Sequence, residues 1–217
     1  MGFVIAIDGP AASGKGTIAS GLGEELGLPV LDSGLLYRAV GVNVLRGGGD
    51  PADPAAAETA ARTLDTAMLD DPAFRTREAG EAASLAAAHP GVRRALVDFQ
   101  RAFAAREGGA IIDGRDIGTV IAPEAPAKLF VTATAEVRAE RRFRQLEGQG
   151  EMVTYEDVLA DIRRRDARDS ARAASPLRQA DDAALLDTSS LTISQAADAA
   201  RRIVEQARAR WEASRQG

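Results

Sequence analysis

Gly9, four intervening residues, then Gly14 and Lys15 form a pattern whose chemistry is the holding of phosphate. Glycines let consecutive backbone N–H groups turn inward around phosphate oxygens, and the start of a following helix adds its partial positive charge. A lysine at that place reaches the β- and γ-phosphates of a nucleotide. Lys15 stands out further because Lys128 is the only other lysine among 27 basic residues. Gly9, Pro10, Ala11, Ala12, Ser13, Gly14, Lys15, Gly16 and Thr17 are therefore the candidate donor-phosphate site, with Lys15 as a candidate catalytic cation. A glycine-rich turn that binds nothing is the bland alternative.

Two other nucleotide-binding readings compete. Gly14-Lys15-Gly16-Thr17-Ile18-Ala19 satisfies G-x-G-x-x-A, and Asp32 stands where a ribose-binding acid would in a dinucleotide-binding fold. There the first glycine follows its strand directly, whereas here Gly9 and four more residues come between, and a lysine occupies the tight turn. A GTPase would need a guanine-reading segment such as N-K-x-D, and the sole asparagine lies in Gly41-Val42-Asn43-Val44. The loop thus favours ATP as the donor. Its hydroxyl comes at Thr17, one place later than usual because Gly16 follows Lys15, and this G-K-G-T form resembles the loop of nucleoside monophosphate kinases.

Three further segments bear on the acceptor: Asp32-Ser33-Gly34-Leu35-Leu36-Tyr37-Arg38, Asp113-Gly114-Arg115-Asp116-Ile117-Gly118-Thr119-Val120, and Arg163-Arg164-Arg165-Asp166-Ala167-Arg168-Asp169-Ser170-Ala171-Arg172. A phosphate-monoester acceptor is already anionic at neutral pH, so no general base has to create the nucleophile. The obstacle is repulsion between two polyanions, and arginines answer it by staying charged and gripping phosphate in a bidentate fork. Alone, the alternation in Arg163–Arg172 is what a solvated helix face with i,i+4 ion pairs shows. Downstream of a phosphate loop it becomes a candidate closing lid that carries catalytic arginines. Asp113 closes an apolar run and has two readings, a place near a Mg²⁺ water shell or a cap for the next turn. His89 before Pro90 reads as a helix-end residue, and one histidine with no cysteine argues against a zinc-type site.

With the loop, these segments resemble bacterial cytidylate kinases, P-loop proteins of the nucleoside monophosphate kinase family, and the resemblance runs from Phe3 to the C-terminal helix. It implies transfer of the γ-phosphate of ATP to CMP or dCMP, with Mg²⁺ held mainly by ATP phosphates and water and with Thr17 and Asp113 nearby. It implies that Arg38, Arg115 and Arg165 hold the acceptor phosphate, Arg115 and Arg165 acting with Lys15 in catalysis. Arg165 and Asp169 would contact the ribose, Ser33 and Tyr37 would shape that pocket, and Ser84, Arg93, Asp116 and Arg172 would read the base. Asp116 makes independent sense, since cytosine offers an amino donor where uracil presents a carbonyl oxygen. The family's small strand-rich insertion ahead of the segment Phe74-Arg75-Thr76 is absent, because Leu64–Pro72 is too short for the extra hairpin. An adenylate- or shikimate-kinase-like enzyme, or a non-catalytic nucleotide-binding regulator, is the competing reading.

Elements must position these residues. Phe3–Asp8, Pro29–Asp32, Ala110–Asp113, Lys128–Thr132 and Ala184–Leu186 read as short apolar strands. Helices are expected over Gly14–Leu26, from a cap at Ser33 to about Leu45, from Pro90 to about Arg106, and over Thr134–Glu147, Thr154–Arg168 and Thr192–Ala213. Strands alternating with helices predict an open parallel five-stranded α/β sheet flanked by helices. One domain is expected, with a core of residues 1–46, 91–147 and 174–217, an alanine-rich helical insertion of about 47–90 on the monophosphate side, and a short lid of about 148–173.

The 217 residues, 45% apolar and 27% charged, suit a globular protein with a real core. The net charge of −5 argues against a nucleic-acid surface. Neither a leader segment nor a run near the roughly 20 apolar residues of a membrane span is visible. A soluble cytoplasmic monomer is the expectation. Absence of cysteine excludes disulfides, thiolate metal sites and a cysteine nucleophile.

Overall fold

The structure is a computed structural model that describes residues 2–172 and 175–215. β1 (Val4–Asp8) is buried at every position. Cover on both faces explains an apolar run that lacks alternation. β2 (Val30–Asp32), β3 (Ala110–Gly114), β4 (Ala127–Thr132) and β5 (Ala184–Asp187) join it in one parallel sheet of order β2-β3-β1-β4-β5. Val4 lies opposite Ala110, and Val30 opposite Ile111, so β3 separates β1 from β2. In a dinucleotide-binding fold those two strands are neighbours. The topology therefore removes the reading built on Gly14–Ala19 and Asp32.

Successive residues of β1 serve opposite faces. Phe3, Ile5 and Ile7 pack with Ile18, Leu22, Ala200 and Val204 from α1 (Lys15–Leu26) and α8 (Ile193–Ser214). Val4 and Ala6 pack with Ile112, Ile117 and Ile121, and Val97 and Phe103 of α5 (Pro90–Ala104) close that side. Between β3 and β4 the chain makes one π turn, Ile117–Ile121, whose Ala122 N–H donates to the Ile117 carbonyl at 2.7 Å. Nothing in the apolar spacing there announces it.

Three threonines expected to open helices stand one place earlier, as caps. Thr134, Thr154 and Thr192 accept from the backbone N–H of Val137, Asp157 and Gln195, ahead of α6 (Ala135–Gly148), α7 (Tyr155–Ala171) and α8. At α2 (Ser33–Arg46) the cap is Asp32 and not Ser33. Asp32 keeps an extended backbone and its carboxylate accepts from Gly34 N–H at 2.9 Å, which leaves Ser33 inside the first turn and buried. His89 precedes α5 without capping it, and its Nε2 lies 3.1 Å from the Pro51 carbonyl oxygen.

Residues 47–90 hold α3 (Pro54–Arg62), 3₁₀ turns at Thr66–Met68 and Pro72–Arg75, and α4 (Arg77–Ala86). Among the described residues no strand separates α3 from α4. α4 lies so close to α2 that a Cβ on Gly41 would fall 2.7 Å from the Ala82 backbone. α6 and α7 pack through Ala139, Leu146, Val158 and Ile162. The expected boundary between lid and core at 173 and 174 lies outside the described residues. No helix among those described is long and apolar enough to cross a membrane.

Candidate active site

Gly9–Thr17 runs from the end of β1 into α1, and its backbone explains its composition. Gly9 has φ +154°, and a Cβ there would lie 1.9 Å from the Val131 carbonyl oxygen, so no larger residue fits. Ala12 and Gly14 also have positive φ, at 59° and 91°. Such alternation turns successive N–H groups toward one concavity. No side chain caps the start of α1, which leaves its first N–H groups available to an anion. Lys15 Nζ lies 3.9 Å from Asp113 Oδ2, and both groups are buried. Burial drives both toward neutrality, pushing the Asp113 carboxyl up to about 7 and the Lys15 ammonium down. Asp113 Oδ1 and the Ser13 hydroxyl are buried without a hydrogen-bond partner. Asp113 thus stands beside Lys15 at the helix end of the loop, with one carboxylate oxygen unused.

The loop borders a cavity of about 750 Å³ that extends to Arg38, Gly80 and Arg165. A methyl group on Gly80 would lie 3.5 Å from Arg165 Nη1 and 3.6 Å from Arg38 Nη2, so the two guanidinium groups flank one small space. Arg38 is fixed by donating to the carbonyls of Phe74 at 3.1 Å and Thr76 at 3.3 Å. Burial lowers Arg38 to about 10 and Arg165 to about 9. Both remain protonated at neutral pH, with Arg165 Nε lacking a hydrogen-bond partner. A cationic pair held out of water with unused donors suits a dianionic phosphate.

Behind Arg165 lies Asp169, which three arginines surround. Arg115 Nε donates to Asp169 Oδ2 at 3.0 Å, Arg172 Nη2 to Oδ1 at 2.5 Å, and Arg165 Nε stands 4.0 Å from Oδ2. Burial alone would push this carboxyl up, yet Arg115, Arg172 and Arg165 together hold it below the usual range. α7 therefore has two kinds of arginine. Arg163 and Arg164 are exposed and pair with Glu136 and Asp161, as a solvated face would, while Arg165, Asp169 and Arg172 turn inward.

Of the residues expected to read the base, Arg93 and Asp116 meet each other. Arg93 donates to Asp116 and lies over the Tyr37 ring, 5.5 Å from its centroid. Ser84 on α4 is buried with an unpartnered hydroxyl, as is the Nε of Arg172. Ser33 lies close over Gly114, where a Cβ would meet its hydroxyl at 2.5 Å. Arg93 and Asp116 are engaged by each other, and neither they nor Ser33, Tyr37, Ser84, Arg115, Asp169 and Arg172 line the large cavity.

Sequence reasoning passed over several residues that fix this arrangement. Asp8, at the last position of β1, accepts from Ile117 N–H at 2.8 Å and Gly118 N–H at 2.7 Å, and so anchors the turn just after Asp116. Burial raises its carboxyl to about 6 in spite of those two bonds. Gln100 is buried, and its Nε2 donates to the Leu96 carbonyl at 3.1 Å. Arg141 donates to Thr188 Oγ1 at 3.0 Å and to the Thr188 carbonyl at 2.7 Å, while Thr188 Oγ1 donates to the Ser13 carbonyl at 3.0 Å. This clamp borders a second, more apolar cavity of about 520 Å³ between the phosphate loop, α6 and the start of α8.

The family model described as cytidylate kinase matches residues 5–207. The chain belongs to the cytidylate kinase family. Within that family it is similar to the cytidylate kinase of Caulobacter sp. (strain K31), 67% identical over 97% of this chain and 98% of that one. It is likewise similar to that of Caulobacter vibrioides (strain NA1000 / CB15N), 68% identical over 97% and 99% of the two chains. Among solved structures, an uncharacterized protein from Eubacterium ventriosum superposes with a TM-score of 0.56 at 15% identity, covering 94% of this chain and 98% of its own, which shows the shared fold.

Proposed function

We propose that the chain transfers the γ-phosphoryl group of ATP to CMP or dCMP, giving ADP and CDP or dCDP. The observation that carries this reading is the opposition of two anion-binding arrangements across one cavity. Gly9–Thr17 with Lys15 stands at one side, and Arg38 and Arg165 at the other, with Arg115 behind them. An oxygen of the acceptor phosphate attacks the γ-phosphorus in line as the bond to the β–γ bridging oxygen breaks, with no covalent enzyme intermediate. The acceptor is already ionised, so the work of the protein is alignment and charge neutralisation. Lys15 and the loop N–H groups hold the donor phosphates. Arg38, Arg115 and Arg165 hold the acceptor phosphate, Arg165 and Asp169 meet the ribose, and Ser33 and Tyr37 wall that side.

The unpartnered Asp113 Oδ1 and the hydroxyl of Thr17 suit a Mg²⁺ ion carried by ATP, directly or through water. When bound, that ion neutralises charge on the donor phosphates. The apolar cavity beside Ile18, Leu191 and Ile193 adjoins the loop on its other side and accommodates the donor's base. Asp116 accepts from the amino group of cytosine, and Ser84, Arg93 and Arg172 complete that recognition. In this reading residues 47–90 are the acceptor-side insertion and 148–173 the lid.

Incubation with Mg²⁺, ATP and CMP, followed by phosphorus NMR, tests the reading. The β-phosphate resonance of CDP is expected to grow as ATP declines. Arg165→Ala is expected to slow that growth about 10²-fold or more, as loss of a transition-state charge donor does. Nucleotide binding without turnover would instead favour a regulator.

A further inference from the structure

Arg138, near the start of α6, is buried and lines neither cavity, yet its guanidinium touches three parts of the site. Its Nε donates to the Ala133 carbonyl at 2.8 Å, at the turn from β4 into α6. Its Nη1 donates to the Ala11 carbonyl of the phosphate loop at 3.3 Å and to Asp166 Oδ1 at 3.0 Å, and its Nη2 to Asp166 Oδ2 at 2.6 Å. Asp166 directly follows Arg165 on α7. In a trans peptide the carbonyl and the next N–H point opposite ways. A grip on the Ala11 carbonyl therefore aims the Ala12 N–H away from Arg138, and Ala12 borders both cavities. The same rigid fork takes both carboxylate oxygens of Asp166, so α7 cannot shift without turning the plane that holds the loop.

We propose that Arg138 is a positioning residue that couples the donor-phosphate loop to the helix bearing the acceptor arginine. Filling the loop fixes Ala11 and Ala12, which fixes Arg138, which holds Asp166 and so Arg165 in the phosphate-gripping position. Donor and acceptor then each tighten the binding of the other by the same factor, as linkage requires. This inference rests on the donor and acceptor assignment proposed above.

The test is a calorimetric titration of CMP into the full chain with Mg²⁺, with and without the non-hydrolysable analogue adenosine 5′-(β,γ-imido)triphosphate. In the native protein the analogue is expected to tighten CMP binding about fivefold or more. In Asp166→Ala that factor is expected to fall to about one, while affinity for each ligand alone changes by no more than about threefold. Asp166 is partly solvent-accessible but its partner Arg138 is buried, so a thermal melt checks that this variant keeps its fold. Arg138→Lys, which keeps the charge but loses the fork, is expected to lose the factor too, and Asp166→Glu to retain most of it. A native-sized factor in both Asp166→Ala and Arg138→Lys, or no factor in the native protein, overturns the inference alone. A native protein that binds no CMP overturns it together with the acceptor assignment.

Discussion

Asp116 and Arg93 hold each other, and the proposed recognition of the base builds on that pair. A cytosine amino group can donate to Asp116 and take up part of the role that Arg93 fills alone, whereas a uracil carbonyl would meet a carboxylate with nothing to donate. Asp116→Ala is expected to lower kcat/KM for CMP roughly 10²-fold or more while the KM for ATP stays within about twofold, because unpaired buried polar groups give large discrimination. Steady-state ADP release with CMP and UMP checks this, and unchanged discrimination against UMP would contradict it. Asp8 makes a different prediction. Its carboxyl stands at about 6 in the folded protein against an ordinary 3.8, so the folded state retains a proton that the unfolded chain has lost between those values. This stabilisation is complete only below pH 3.8 and disappears as pH rises through about 6. Its size is on the order of 1–3 kcal/mol. Urea unfolding across that range is expected to show stability falling with pH, and Asp8→Asn to flatten the fall. Parallel profiles for the two proteins would refute the assignment.

At the scale of elements, the acceptor side depends on how closely α4 approaches α2. α2 carries Tyr37 and Arg38, and α4 carries Gly80 and Ser84, so their separation sets the width of the space between. Gly41 makes the approach feasible. A Cβ there would lie 2.7 Å from both the carbonyl carbon and the Cβ of Ala82, and backbone cannot step aside as a long side chain can. Gly41→Ala is expected to cost about 1–3 kcal/mol of stability in denaturant unfolding followed by circular dichroism. It is also expected to raise KM for CMP more than for ATP, since the phosphate loop lies on other elements; equal rises would contradict this. The strands and most helices were legible in the sequence because burial on both faces and cap residues leave marks at short range. Helix starts slipped by one residue at Asp32 and Ser33, where two capping types stand together, and at Thr134, Thr154 and Thr192, which cap their helices and do not open them. Phosphate-loop and arginine segments were legible for a related reason, since their chemistry demands fixed residue types at fixed spacing. Asp8, Arg138, Arg141, Asp166 and Thr188 were not. Each acts through partners distant in the chain, as in the Asp8 bond to Gly118 across 110 positions, and no local pattern records such a pairing.

The whole molecule puts its charge to unequal use. It carries a net charge of −5, yet arginines gather inside around Asp169 and Gly80, where the proposed reading brings two polyanions together. The parallel sheet sets up this encounter: β1 ends in the phosphate loop, β3 ends at Asp113 and Gly114 just before Arg115 and Asp116, and β2 ends at the cap of α2. All run the same way, so their carboxyl ends bring donor and acceptor groups to one edge. The central claim is that this edge joins ATP to a cytidine monophosphate. Its most direct test compares kcat/KM for CMP, dCMP, UMP, AMP and shikimate at saturating Mg²⁺ and ATP. The account predicts that CMP or dCMP exceeds every other acceptor by about 10²-fold or more, the margin a buried hydrogen-bonding residue can supply. CMP and dCMP turning over no better than UMP, AMP or shikimate would contradict it.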